Sequence, residues 1–180
     1  MKTTLGSFFS KKILLSFLLT AGVLLQAEDF DSFIGLQVGS TNLQYEESNS
    51  QSGGSYGIRL GFIKDTGRVY LTGETASIDD ADLNSITVNF DAITPRAYKF
   101  NDSFSIRGFV GVHGGYVEIK PDNLVKDDGA VGGGQAGILL DFPANITLEI
   151  GYKASWPAID YANETVKNYQ NAYLAFDFVF

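Results

Sequence analysis

His113 is the only histidine in the chain, and there is no cysteine. A general base can therefore be only one imidazole, and thiolate nucleophiles, disulfides and imidazole or thiolate zinc sites are excluded. His113 sits in Gly111-Val112-His113-Gly114-Gly115, with glycines rather than a serine around it. The reading is that no dyad forms there and that the chain has no catalytic residues. Gly132 to Gly137 match G-x-G-x-x-G, but Ile138, Leu139 and Leu140 lead into an Asp-Phe-Pro turn instead of a helix, so no phosphate cradle is expected. The acids Asp79, Asp80, Asp82, Asp127 and Asp128 lack the ligand spacing of a calcium loop and read as solvated tips, so neither metal nor cofactor is expected. Asn101, Asn145 and Asn163 head glycosylation triplets by pattern, which have no meaning if the source is bacterial.

The ends of the chain and its charge narrow the class further. Residues 1–27 have the form of a secretory signal: a basic start ending in Lys11-Lys12, an apolar run from Ile13 to Leu25, and Ala27 before Glu28-Asp29. That run is 13 residues, too short for the roughly 20 of a spanning helix. Cleavage after Ala27 is expected, with no lipid anchor because no cysteine follows. Removing 27 of 180 residues leaves 153, one domain over 28–180, and loss of Lys2, Lys11 and Lys12 takes the formal charge from −8 to −11. So acidic a product is not expected to bind nucleic acid. No later segment is apolar for long enough to span as a helix, so a membrane fate requires a barrel.

From Phe30 onward the hydrophobic period is two. Ile58, Leu60 and Phe62 alternate with Gly57, Arg59 and Gly61; Ile86, Val88 and Phe90 with Thr87, Asn89 and Asp91; Ile146, Leu148, Ile150 and Tyr152 with Thr147, Glu149, Gly151 and Lys153. Further segments of this kind around 69–72, 104–113 and 174–180, with weaker ones at 32–45 and 130–141, make eight strands. Connections near 64–68, 100–103 and 142–145 read as short turns. Those near 46–54, 78–84, 119–129 and 154–167 read as longer polar loops. The strand that begins near Asn84 can reach Phe100 only if Pro95 forms a bulge or ends it.

Short turns at one end and long loops at the other are the pattern of a transmembrane barrel. The face opposite the large aliphatics carries Gly57, Gly61, Gly111, Gly137 and Gly151, which a solvent-facing wall of a soluble lipocalin-like barrel would not. In an eight-stranded barrel such glycines make room inside for Tyr70, Phe109 and a few long charged side chains. The inward parity contains Arg59, Glu74, Asp91, Arg107, Glu149, Lys153 and Asp177. A charge network plugging the lumen is expected, with Arg59 and Glu74 paired diagonally across neighbouring strands.

The final strand, Tyr173-Leu-Ala-Phe-Asp-Phe-Val-Phe180, places Phe176, Phe178 and Phe180 at alternate positions. With the leader and the eight strands, it resembles the small Gram-negative outer-membrane β-barrels, the OmpA/OmpX-like and opacity-type group, across the whole mature chain. Ala175 stands where such proteins often have glycine. The resemblance implies an all-β, eight-stranded antiparallel up-and-down transmembrane barrel in the cell outer membrane. It also implies that Phe176, Phe178 and Phe180 are read by the barrel-assembly machinery. Outer-membrane lipid and lipopolysaccharide would surround a monomer. The function expected is non-enzymatic: envelope structure and display or adhesion through surface loops toward a host or envelope ligand. Trp156, Ile159 and Tyr161 are the contact candidates, with Trp156 equally suited to an aromatic girdle. Alternatives are a narrow channel or a transporter of small hydrophobic compounds, and after these a lipid A-modifying enzyme.

Overall fold

The computed structural model describes residues 30–45, 50–78, 81–95, 98–101, 104–121, 127–158, 160–161 and 164–180. The described residues form ten antiparallel strands: β1 (Asp31–Tyr45), β2 (Gln51–Lys64), β3 (Gly67–Ile78), β4 (Ala81–Ile93), β5 (Tyr98–Asn101), β6 (Phe104–Pro121), β7 (Asp127–Phe142), β8 (Ile146–Pro157), β9 (Asp160–Tyr161) and β10 (Glu164–Val179). Eight of them make a closed barrel in the order β1-β2-β3-β4-β6-β7-β8-β10, with β10 returning to β1. The closing ladder runs from Phe33 opposite Val179 to Tyr45 opposite Val166. Below it Ser32 N donates to Phe180 O at 2.9 Å, and Phe180 N to Ser32 O at 2.8 Å. Closure leaves no long unpaired edge, which is the condition for backbone to cross a lipid bilayer as strands.

The two short strands explain irregular connections. β4 ends before Pro95, which has no N–H for the ladder, and pairing on β6 resumes at β5, with Tyr98 opposite Ile106. At the other end, β9 pairs with the start of β10. The loop expected over 78–84 is corrected: Ile78 pairs with Ala81, so β3 and β4 run into a tight hairpin. Alternation continues through that segment, with Ala76, Ile78, Ala81 and Leu83 all buried inside, and it outweighs the polar residues between them. Likewise, β6 and β7 extend through Pro121 and from Asp127, and β8 through Pro157, into regions read as loop.

Along each strand one parity faces the lumen and the other faces out. Nearer the turns, the outward parity is large and exposed: Ile34, Leu36, Ile58, Leu60, Phe90, Val110, Ile150 and Phe176. This is the lipid-facing band of a transmembrane barrel. The tyrosines Tyr56, Tyr116 and Tyr152 mark its upper limit, and Tyr152 OH reaches Gln170 Oε1 at 2.5 Å. Above them the outward side becomes polar, as in Asn42 bonded to Ser52, Thr75 to Asn84 and Ser77 to Asp82. There the inward side is apolar, with Leu43, Ile78, Leu83, Val117, Ile119, Val131 and Val166 packed together. A second apolar cluster, Phe33, Ile63, Tyr70, Ile93, Phe109 and Leu139, closes the lumen near the turns. Charged side chains lie between the two clusters.

Candidate functional site

The lumen is built on pairs of polar residues that meet across a glycine on the intervening strand. Gly35 lies opposite both Arg59 and Asp177, and Arg59 Nη2 donates to Asp177 Oδ2 at 3.0 Å over it. Gly57 separates Gln37 from Glu74, bonded at 3.2 Å. Gly111 separates Asp91 from Gln135, bonded at 2.6 Å, and Gly133 separates His113 from Ser155, 2.9 Å apart. A Cβ at Gly35 or Gly111 would overlap the aspartate carboxylate beside it. These glycines therefore do more than make room: each removes a side chain that would block a bond two strands wide.

The inward charges fall into three groups. In the first, Glu149 Oε2 accepts from Arg59 Nη2 and from Arg68 Nη1, each at 2.6 Å, while Tyr173 OH donates to Oε1 at 2.7 Å. Arg68 Nε also donates to Asp91 at 2.7 Å. Both guanidinium carbons stand 4.7 Å from the Tyr70 ring centroid, and that of Arg68 is equally close to Phe109, so the cations are stacked as well as paired. In the second group Lys153 Nζ lies 3.7 Å from Glu74, which also accepts from Asn171. The third lies at the turn mouth: Arg107 forms a two-pronged bond to Asp141 at 2.7 and 2.8 Å, joined by Ser105 and Thr147. Here Lys64, Asp65 and Asn145 help to line a polar basin of about 210 Å³.

The Arg59–Glu74 pair is corrected. Counting along the wall identifies neighbours on adjacent strands, but Arg59 points across the lumen to Glu149 on β8, whereas Glu74 engages Lys153. Arg68 and Asp141 were missed. Arg68 falls in the connection near 64–68 that reads as a turn, although it shares the parity of Tyr70, Thr72 and Glu74, and that parity is the available signal.

His113 does have a serine beside it, contrary to expectation. Gly133 opposite the histidine was the clue, because only a glycine lets the imidazole reach β8. Ser155 is fully buried and His113 is 5 % exposed; Nδ1 of the imidazole has no hydrogen-bond partner among the described residues. The pair thus has the first contact of a Ser–His arrangement, with no acid among the described residues bonded to the ring and both side chains buried. No set of three or more His, Asp and Glu side chains among the described residues is placed to hold a metal ion.

On the outer wall, Phe176, Phe178 and Phe180 are all exposed toward lipid, and the last two rings stack with centroids 6.2 Å apart. Trp156 lies within β8 opposite Gly132 and faces outward, the position of a girdle residue. Tyr161 belongs to β9. Ile159 lies outside the described residues, as do residues 1–27, the segment expected to be a secretory signal.

No protein-family model matches the chain, and no curated protein matches it in sequence. Solved structures match its fold. Neisserial surface protein A (NspA) aligns with a TM-score of 0.60 at 13% identity, over 83% of this chain and 97% of that one. Outer membrane protein H (OprH) of P. aeruginosa gives 0.55 at 23% identity, over 83% and 99%. Ail, the attachment invasion locus protein of Yersinia pestis, gives 0.51 at 12% identity, over 84% and 99%.

Proposed function

We propose that this chain, which has the fold of the small OmpA/OmpX-like outer-membrane β-barrels, is a non-enzymatic envelope protein that displays its loop end at the cell surface. The observation that carries this reading is the filled lumen. Between the apolar clusters, Arg59, Glu149, Asn89 and Asn171 have no exposure, so the described interior supports neither solute passage nor substrate access. What such a scaffold offers a partner is its loop end, where sequence can change without disturbing the ladder. Two proteins of similar fold, a neisserial surface protein and an attachment invasion locus protein, agree with a surface contact role. Phe176, Phe178 and Phe180 serve in this reading as the signal for the barrel-assembly machinery. Lipopolysaccharide and lipid surround the band.

The test combines orientation with contact. A cysteine at Asn163 should react with a membrane-impermeant maleimide on whole cells, and one at Asp65 only after lysis. Replacing residues 159–163 by Gly and Ser should leave the folded, heat-modifiable barrel intact while reducing adherence of the cells to host or abiotic surfaces toward that of a deletion strain. The opposite labelling pattern would overturn the orientation. Adherence equal in wild type, replacement and deletion would overturn the display role. Large, stable single-channel conductance would favour transport instead.

A further inference from the structure

The interior between the two apolar clusters does not balance its charges. Among the described residues three cations, Arg59, Arg68 and Lys153, stand against four carboxylates, those of Glu74, Asp91, Glu149 and Asp177. The Arg107–Asp141 pair at the turn mouth is neutral in itself and leaves that difference unchanged. All seven side chains are buried, so bulk solvent does not screen the excess negative charge, and an uncompensated buried charge costs far more than a paired one. One further positive charge belongs inside.

Its place follows from the way two of the acids converge. Arg59 Nη2 lies 2.6 Å from Glu149 Oε2 and 3.0 Å from Asp177 Oδ2, and Arg68 Nη1 lies 2.6 and 3.7 Å from the same two oxygens. Two acids that share their counter-charges in one dry site repel each other, and such pairs retain a proton. Asp177 is the less supported member. Glu149 accepts three hydrogen bonds, whereas Asp177 Oδ1 accepts none. Tyr70 on β3, Asp91 on β4 and Tyr173 on β10 are the other titratable groups nearby, and Thr147 stands between Asp177 and the Arg107–Asp141 pair. From β1, β6 and β7 come Gly35, Phe109 and Leu139, none of which titrates. A metal ion does not fit here: guanidinium nitrogens fill the space between the carboxylates, and Asp177 Oδ1 lies over Gly35 where a Cβ would overlap it. His113 is the other group able to carry the charge, but Lys153 is the inward residue next to its partner Ser155 on β8. An imidazolium there would add repulsion, whereas a proton shared by the carboxylates removes it.

We infer that Asp177 and Glu149 hold one proton between them at neutral pH, and that the barrel takes up this proton as it folds. The sealed interior is then neutral. Carboxyls of the unfolded chain ionise at about pH 4, so above that value the native chain binds one proton more than the unfolded one, and this site makes stability fall as the pH rises.

The experiment is infrared spectroscopy of the refolded barrel at about pH 7, where exposed carboxyls are ionised. The expected result is the carbonyl band of one protonated carboxyl, absent from the chain unfolded at the same pH. Asp177→Asn has the shape of the protonated acid, so it should abolish the band, leave the unfolding midpoint at that pH unchanged, and flatten the fall of the midpoint in alkali. His113→Gln should leave the band in place. Absence of the band from the folded wild type overturns the proposal, as does its loss in His113→Gln or its persistence in Asp177→Asn. A midpoint lowered by Asp177→Asn at about pH 7 also overturns it, since Asp177 would then be an ionised partner of Arg59. So does an alkali ion retained by the folded barrel in native mass spectrometry, which would supply the charge in the proton's place.

Discussion

The band and the collar use the same eight strands with opposite polarity. In the band, Leu36, Ile58 and Phe176 face out while Arg59, Arg68 and Glu149 face in; in the collar, Asn84, Ser77 and Asp82 face out while Ile78, Leu83 and Ile119 face in. Alternation is identical in both. What changes is the medium outside, hydrocarbon for one and water for the other, and the side chains reverse accordingly. The collar is in effect a short soluble barrel standing on a membrane barrel. A charged interior is tolerable in the band because the paired groups are also hydrogen-bonded and stacked.

The sharpest way to break that difference is to remove one partner from the charged interior. Glu149→Ala leaves Arg59 and Arg68 both short of an acceptor and should lower stability by about 3–5 kcal/mol. Denaturant unfolding in lipid vesicles measures it. Replacing Arg59, Arg68 and Glu149 together with apolar residues of similar volume should do less damage than this single change, and a larger loss would show that the network contributes net stability.

Leu83→Ala in the collar and Leu36→Ala on the band separate the two media. The first opens a cavity in a closed apolar core and should lower stability by about 3 kcal/mol. The second loses only transfer of the removed methyl groups, about 1–2 kcal/mol, because fluid lipid fills the space. Equal losses, measured by the same unfolding, would mean that the collar is not packed as a core.

Glycines give a finer contrast between inside and outside. Gly111→Ala drives a Cβ into the Asp91 carboxylate and should reduce stability by about 1–3 kcal/mol. Gly114→Ala, where the nearest neighbour of a Cβ is at 3.8 Å, should stay within about 0.5 kcal/mol of wild type. Similar shifts in the unfolding midpoint for both would contradict the bonding across glycine.

The smallest expected gain lies in the turn between β7 and β8. Ala144 and Asn145 have φ of 65° and 61°, a left-handed conformation that asparagine tolerates and alanine does not favour. Ala144→Gly should therefore raise stability by about 0.5–1 kcal/mol, visible as a later unfolding midpoint, without touching band or collar.

Most of the band was legible in the sequence. Strong alternation around Ile58, Ile86 and Ile146, and glycines on the face opposite the aliphatics, specified strands, lumen and lipid face together. The collar was harder to read because its inward residues are the apolar ones, so the acids at 79–82 suggested a loop where Ile78 and Leu83 continue the ladder. Partners inside the lumen were harder still. Alternation says which way Arg59 points, but its contact with Glu149 crosses a curved interior and depends on how far the barrel closes. His113 and Ser155 are 42 positions apart and joined only through the gap at Gly133. A single strand pattern does not contain such a bond; three adjacent strands in register do.

The reciprocal bonds between Ser32 and Phe180 have a consequence for the wiring of the chain. Because the first and last strands are neighbours, a short linker could join them and the chain be reopened at 122–126 with the same ladder around the circumference. Such a permuted barrel would keep Phe176, Phe178 and Phe180 on the same wall yet move them to the interior of the polypeptide. The shape of the barrel and the position of these aromatics along the polypeptide would then be separate properties of one molecule.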